Sequence, residues 1–238
     1  MKNIITLFAL SLLITTSVIG QSSKVYYSVA GEMIFSWATI EDRGQEASSL
    51  MRWAPVFNLQ SFINSDLSPN FGIFSGLAIR NVGYIYDDYQ DPATLVINKK
   101  KFRSYNLALP VGIKVGNLSN LFFYGGYEVE FPFHYKEKTF DDGDKIDKIT
   151  GWFSNRQESF QHGFLAGIQF PHGINLKFKY YLSEFHNQDF TDSAGNKPYA
   201  GLKSNIFYLS LSYDMFKDCL LYTSDVYKRQ QYSHASFS

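Results

Sequence analysis

Residues 174–182 read INLKFKYYL, and every second residue is large and apolar: Ile174, Leu176, Phe178, Tyr180 and Leu182. Asn175, Lys177, Lys179 and Tyr181 stand between them. Period two is the alternation of a β-strand with one apolar and one polar face. It leaves open which face looks inward. In a soluble barrel or sandwich the apolar face is the core; in a membrane barrel it meets lipid, and the lysines point to the centre.

The same alternation recurs along the chain. It predicts eight strands, at 24–40, 51–63, 71–86, 102–116, 121–136, 158–170, 174–186 and 202–216. Connections at 64–70, 117–120 (NLSN) and 171–173 (PHG) are short. Those at 87–101, 137–157 and 187–201 are long and charged, with 41–50 intermediate. Short turns at one end and long loops at the other fit an outer-membrane barrel better than a soluble one. The predicted fold is therefore all-β: an eight-stranded antiparallel up-and-down transmembrane β-barrel.

Bulk decides between the two polarities. One face of the fifth strand carries Leu121, Phe123, Tyr127, Val129, Phe131, Phe133 and Tyr135; the fourth offers Tyr105, Leu107, Leu109, Val111, Ile113 and Val115. An eight-stranded barrel has an interior only just wide enough for side chains, so such faces do not fit inside. The opposite face is small or polar, with Ala30, Ser36, Asn58, Gln60, Gly76, Ala78, Asn106, Gly112, Gly167 and Ser210 among its members. The greasy face is expected to look out, toward lipid. On the polar face Glu32, Glu128, Glu130 and Asp214 project the same way as Arg80, Lys114, Lys177 and Lys179. Buried charges persist only when paired, so these eight predict a salt-bridged lumen, a polar plug. Val82 and Tyr84 fall out of phase, which predicts a bulge in the third strand. The 17 Tyr and 22 Phe cluster at strand ends (Tyr26, Tyr27, Trp37, Trp53, Tyr84, Tyr86, Phe133, Tyr135, Tyr180, Tyr181), as interfacial aromatic girdles do.

The termini are of another kind. MKNIITLFALSLLITTSVIG at 1–20 has Lys2, an apolar run and small residues at Val18 and Gly20, and reads as a secretory signal cleaved before Gln21. CLLYTSDVYKRQ at 219–230 back-translates to a near-perfect inverted repeat that matches a transposon-end sequencing adapter. It is read as translated adapter, with 231–238 as read-through, so Cys219, His234 and the HAS at 234–236 carry no functional weight. Residues 21–218 form the one domain and hold no cysteine. The chain has 22 basic and 22 acidic residues; without Lys2, Lys228, Arg229 and Asp225 the domain keeps 19 and 21. Near-neutrality argues against nucleic acid as a partner.

APVFNLQSFINSDLSPNFGIFSGLAIRNVGYI (54–85), FRSYNLALPVGIKVGNL (102–118), FPFHYKEKTFDDGDK (131–145) and GINLKFKYYLSEF (173–185) together resemble the PorT-like outer-membrane β-barrel proteins of Bacteroidota. The resemblance runs from about residue 25 to Lys217 and rests on strand and turn patterns, with no catalytic signature. It implies an OmpX- or OmpA-like barrel inserted by the barrel assembly machinery, in contact with outer-membrane lipid and lipopolysaccharide, and with other envelope proteins as further partners. IFYLSLSYDMF, ending at Phe216, resembles the terminal aromatic strand that this machinery recognises. One member type of the family is linked to protein secretion.

Chemistry is sparse. Glu158, Ser159 and His162 in ESFQH are the nearest thing to a nucleophile with a base, but Ser159 and His162 are three apart, on opposite faces of a strand. His134 is expected at the lumen or rim, bonded to a carboxylate, His172 in a turn, and His186 at a loop base. Asp141, Asp142, Asp144 and Asp147 crowd one loop and have the ligand type for calcium, without the D-x-D-x-D-G register; Asp-Gly at a hairpin tip is the commoner use. No cofactor and no metal centre are expected, and the chain is expected to be a monomer. The leading reading is a non-enzymatic outer-membrane barrel with interacting loops and a closed lumen. Against it stand a narrow pore for small solutes, a lipid-modifying envelope enzyme and a secreted lipocalin-like binder.

Overall fold

The computed structural model describes residues 24–90 and 96–217; the expected signal at 1–20, the expected adapter at 219–230 and the expected read-through at 231–238 lie outside them. INLKFKYYL falls on one strand and the loop residue after it. Ile174, Leu176, Phe178, Tyr180 and Leu182 are exposed, while Asn175, Lys177, Lys179 and Tyr181 are buried. The apolar face looks out.

The strands are β1 (Lys24–Asp42), β2 (Gln45–Leu50), β3 (Arg52–Ala54), β4 (Leu59–Ser68), β5 (Phe71–Gln90), β6 (Ile97–Gly116), β7 (Phe122–Asp141), β8 (Asp144–Trp152), β9 (Gln161–Gln169), β10 (Ile174–Tyr181) and β11 (Leu202–Lys217). They form one antiparallel sheet of 11 strands, which corrects the expected eight-stranded barrel. Part of the difference lies in 41–50 and 137–157, expected as loops. Both contain strands turned back by two-residue hairpins. Arg43 and Gly44 (φ 53° and 82°) join Asp42 to Gln45, and Asp142 and Gly143 (φ 47° and 92°) join Asp141 to Asp144. Positive φ at both central residues is what the twist-matched two-residue hairpin turn requires. The stretch 51–63 splits into β3 and β4 around Pro55, which has no N–H to give a ladder.

β1 pairs along one flank with β4, β3 and β2 in succession. Along its other flank it pairs with β11, from Ser28↔Lys217 to Asp42↔Leu202. Between them run β4–β5–β6–β7–β9–β10–β11, so the sheet curls back to its first strand. Short turns gather at one end, here the turn end; the hairpins and the segments 153–160 and 182–201 gather at the other, the loop end. No helix among the described residues is long and apolar enough to cross a membrane.

The inner face is not uniformly polar. Toward the loop end it becomes an apolar core of Ile34, Ile40, Val82, Tyr84, Phe102, Tyr135, Phe185, Tyr199, Leu202, Ile206 and Tyr208. Tyr26, Tyr84, Tyr86, Tyr135 and Tyr181, expected in outer girdles, are all buried inside. No bulge sits at Val82 and Tyr84: they share the inner face with Arg80, and β5 shifts register against β6 only at Tyr86/Tyr89. The phase slips instead in β7, where Asn106 pairs with Pro132 and Tyr105 with His134. Glu128 and Glu130 face inward before the slip, Tyr135 and Glu137 after it. Glycine on the inner face makes room for rings. A Cβ on Gly112 would sit 2.6 Å from the Phe74 ring, and one on Gly167 2.3 Å from the Tyr124 hydroxyl.

Candidate functional site

Charge is concentrated midway along the interior. Arg80 of β5 forks between two carboxylates. One guanidinium nitrogen pairs with Glu32 of β1, and the other lies 2.9 Å from Glu128 of β7. Lys177 of β10 stands 2.7 Å from the second oxygen of Glu32. Lys179, two residues on, lies 2.5 Å from both Glu128 and Glu130. The Tyr181 hydroxyl donates to Glu130 at 2.7 Å, and the Asn106 amide donates to its other oxygen at 2.5 Å. Three cations thus face three carboxylates, each residue no more than 4% exposed. They meet because all six occupy inward positions at one level of strands that face each other. Isolated, any one of them would carry a desolvation penalty of several kcal/mol; the neighbours and hydrogen bonds offset it. The arrangement fills and holds the centre.

Lys114 and Asp214 do not join this cluster. Lys114 lies nearer the turn end, 2.5 Å from Asp66 and donating to Tyr26 and Asn64 at 3.0 and 3.2 Å. With Asp214 and Phe74 it lines a cavity of about 40 Å³, room for a water molecule or two. Asp66 was not singled out in the sequence because NSDLSPN reads as a turn.

A second polar cluster was missed altogether. The Glu137 carboxylate, on the inner face of β7 past the slip, accepts from Lys100 at 2.6 Å, Tyr135 at 2.9 Å and Tyr199 at 2.6 Å. Arg156 donates to the Tyr199 hydroxyl at 3.1 Å and lies 4.5 Å over the Phe190 ring. His186, expected at a loop base, is fully buried here. It stacks on Tyr199 with centroids 4.5 Å apart and is 2.8 Å from the Tyr84 hydroxyl. Burial pushes its pKa down to about 3, although Glu137 pulls the other way. It is a neutral ring in an aromatic cap.

The remaining candidates are dispersed. His134 faces outward, bonded to Thr150 at 3.1 Å and packed edge-on against Trp152, so the expected carboxylate partner is replaced by a hydroxyl. The His162 ring sits 2.5 Å from the Tyr127 hydroxyl, while Ser159 is exposed before β9 begins. Asp141 and Asp144 flank the two-residue turn, and Asp147 lies opposite Thr139. Among the described residues no group of three His, Cys, Asp or Glu side chains is placed to hold a metal ion, the Asp141–Asp147 hairpin included.

No protein-family model matches the chain, and no curated protein matches it. Among solved structures, Ail, the attachment invasion locus protein of Yersinia pestis, in complex with the heparin analogue sucrose octasulfate, is 13% identical. That match covers 81% of this chain and 99% of that one, with a TM-score of 0.40. Neisserial surface protein A is 11% identical over 81% and 99%, with a TM-score of 0.36. The outer membrane protein OprG of Pseudomonas aeruginosa is 12% identical over 82% and 98%, with a TM-score of 0.37. At these values the likeness decides nothing for this chain.

Proposed function

We propose that the chain is an integral outer-membrane protein, without enzymatic activity, that crosses the bilayer by its curled sheet. Its interior is held shut by the ionic cluster and the aromatic cap, and its loop end faces the outside. The inverted polarity carries this reading. Leu107, Leu109, Val111, Ile113 and Val115 on β6, and Phe71, Ile73, Leu77 and Ile79 on β5, are each about 40–60% exposed, while Arg80, Lys114 and Lys179 are at most 2% exposed. In water that exchange would be unfavourable on both faces; in lipid it is favourable on both. The exposed apolar stretch 107–115 rises about 26 Å along its strand. Allowing for tilt, that is roughly 20 Å, close to the ~25 Å apolar band of outer-membrane sheets. Partners on this reading are outer-membrane lipid, lipopolysaccharide and the assembly machinery. Membership of the PorT-like group of Bacteroidota rests on the sequence resemblance.

Two measurements test it. In detergent, the unboiled chain should migrate differently from the boiled chain on a gel, because a sheet whose first and last strands are paired resists unfolding until heated. Reconstituted into planar bilayers, it should pass no steady current. Recovery from culture supernatant without detergent would sink the membrane assignment. Stable single-channel conductance would replace the closed interior with a narrow pore.

A further inference from the structure

Past the loop end of the apolar band, the charged side chains on the outer faces of β6, β7 and β8 are all cations, of which Lys99 pairs with Asp87 of β5 at 2.8 Å. Lys101 of β6 lies opposite Lys138 of β7, which lies opposite Lys148 of β8; Arg103 lies opposite Lys136 in the next row. Lys145 pairs with Phe140 at the hairpin end. Lys136 feels repulsion from Lys138, Lys148, Arg103 and Lys145. None of the other six has a carboxylate partner among the described residues. Arg103 donates to the Tyr105 hydroxyl at 3.2 Å, and Lys101 lies 4.6 Å over the Phe140 ring. A groove of about 210 Å³ opens between Lys101, Arg103, Lys136 and Lys138, with Trp53 and Phe140 on its walls and no carboxylate lining it.

Like charges directly opposite each other on a sheet are destabilising. A merely solvated face would intersperse both signs. Lysines also protect edge strands, and β8, paired only with β7, is one. That accounts for Lys145 and Lys148, but not for Lys101 and Arg103 on β6.

Depth identifies the missing anion. The row below the cations is Tyr105, His134 and Trp152, and the row below that is Leu107 and Phe131. Strand rise puts Arg103 about 7 Å and Lys101 about 13 Å past Tyr105, less tilt. Apolar, aromatic and cationic rows therefore follow one another as acyl chains, interface and headgroups do.

Resting on the outer-membrane reading, we propose that this groove binds the phosphate groups of a phosphorylated glycolipid in the outer leaflet, held by Lys101, Arg103, Lys136 and Lys138. The full chain in neutral detergent is titrated with diphosphorylated lipid A, with dephosphorylated lipid A and with inorganic phosphate. Native mass spectra read binding, and the unfolding midpoint reads stabilisation. The diphosphorylated lipid should bind at least about tenfold more tightly than its dephosphorylated counterpart. The combined variant K101Q, R103Q, K136Q and K138Q should lose that difference while keeping its heat-modifiable gel band. Equal affinity for the two lipids, or an undiminished preference in the variant, overturns the proposal. So does saturation by inorganic phosphate where the lipid leaves the groove empty. Since the lipid comparison needs no substitution, a variant that misfolds does not shield the idea. A chain that never enters bilayers removes the outer-membrane reading and this one together.

Discussion

The middle of the interior and its loop end are both buried, and they solve burial differently. Around Arg80 the space is filled by ions, each needing a partner on another strand: Glu32 on β1, Glu128 on β7, Lys177 and Lys179 on β10. Around His186 it is filled by rings, with one carboxylate, Glu137, held by Lys100 and two tyrosine hydroxyls. Ion clusters are unforgiving, because removing one member strands the others in a poor solvent. Ring clusters lose contacts more gradually, and their weak point is any group that can acquire a charge. The centre should therefore fail by mutation and the cap by acid.

The largest effect tests the centre. Arg80→Leu leaves Glu32 and Glu128 facing each other without their shared cation, and should lower stability by about 3–5 kcal/mol, read as a lower urea midpoint for loss of the unboiled gel form. A loss under 1 kcal/mol would mean that water reaches the cluster and that the two regions do not differ as described.

Acid tests the cap. His186 has a folded pKa of about 3 against an ordinary 6.5, so the unfolded chain binds the extra proton first as pH falls. Its contribution is complete above pH 6.5 and is lost progressively between there and pH 3. At pH 5 the loss should be about 2 kcal/mol, and His186→Phe should flatten the profile in that window. An unchanged profile in the variant would place the acid sensitivity elsewhere.

Tyr199→Phe removes the hydroxyl shared by Glu137 and Arg156 while keeping the ring on His186. It should lower stability by about 1–2 kcal/mol and increase exchange of backbone amides in 182–201. A loss approaching that of Arg80→Leu would erase the contrast between the regions. Smallest of all, Lys203→Ala breaks an ion pair with Glu41 whose partners are about half exposed, and its urea midpoint should not move measurably.

What could be read from the sequence follows the same division. INLKFKYYL shows its two faces because the alternation runs unbroken, and the bulk of the fourth and fifth strands then places Lys177 and Lys179 inward. Tyr135 was placed on the wrong face because the slip at Pro132 reverses the phase, and period-two counting carries an error forward until something resets it. Asp-Gly at 142–143 reads as a hairpin tip from the sequence, but β2 and β8 beyond the two turns read as loop, since they are short and mostly polar. His186 gave no sign at all: its burial comes from a loop folding over the strand ends, which no local pattern records. The cations of β6 and β7 were visible as KKKFR and HYKEK, but their side-by-side rows exist only once the register is set.

The pairing of β1 with β11 joins residues at opposite ends of the described chain, Ser28 with Lys217 and Asp42 with Leu202. Loop closure of that size is slow and is rewarded only at the end. Until the last strand arrives, both β1 and β10 keep one flank of unsatisfied amides and carbonyls, which no hydrocarbon environment tolerates. On the proposed membrane reading, insertion is therefore coupled to sealing, and a chain that stops short of Leu202 should fail to enter a bilayer by itself. The seam works as a completeness check on synthesis.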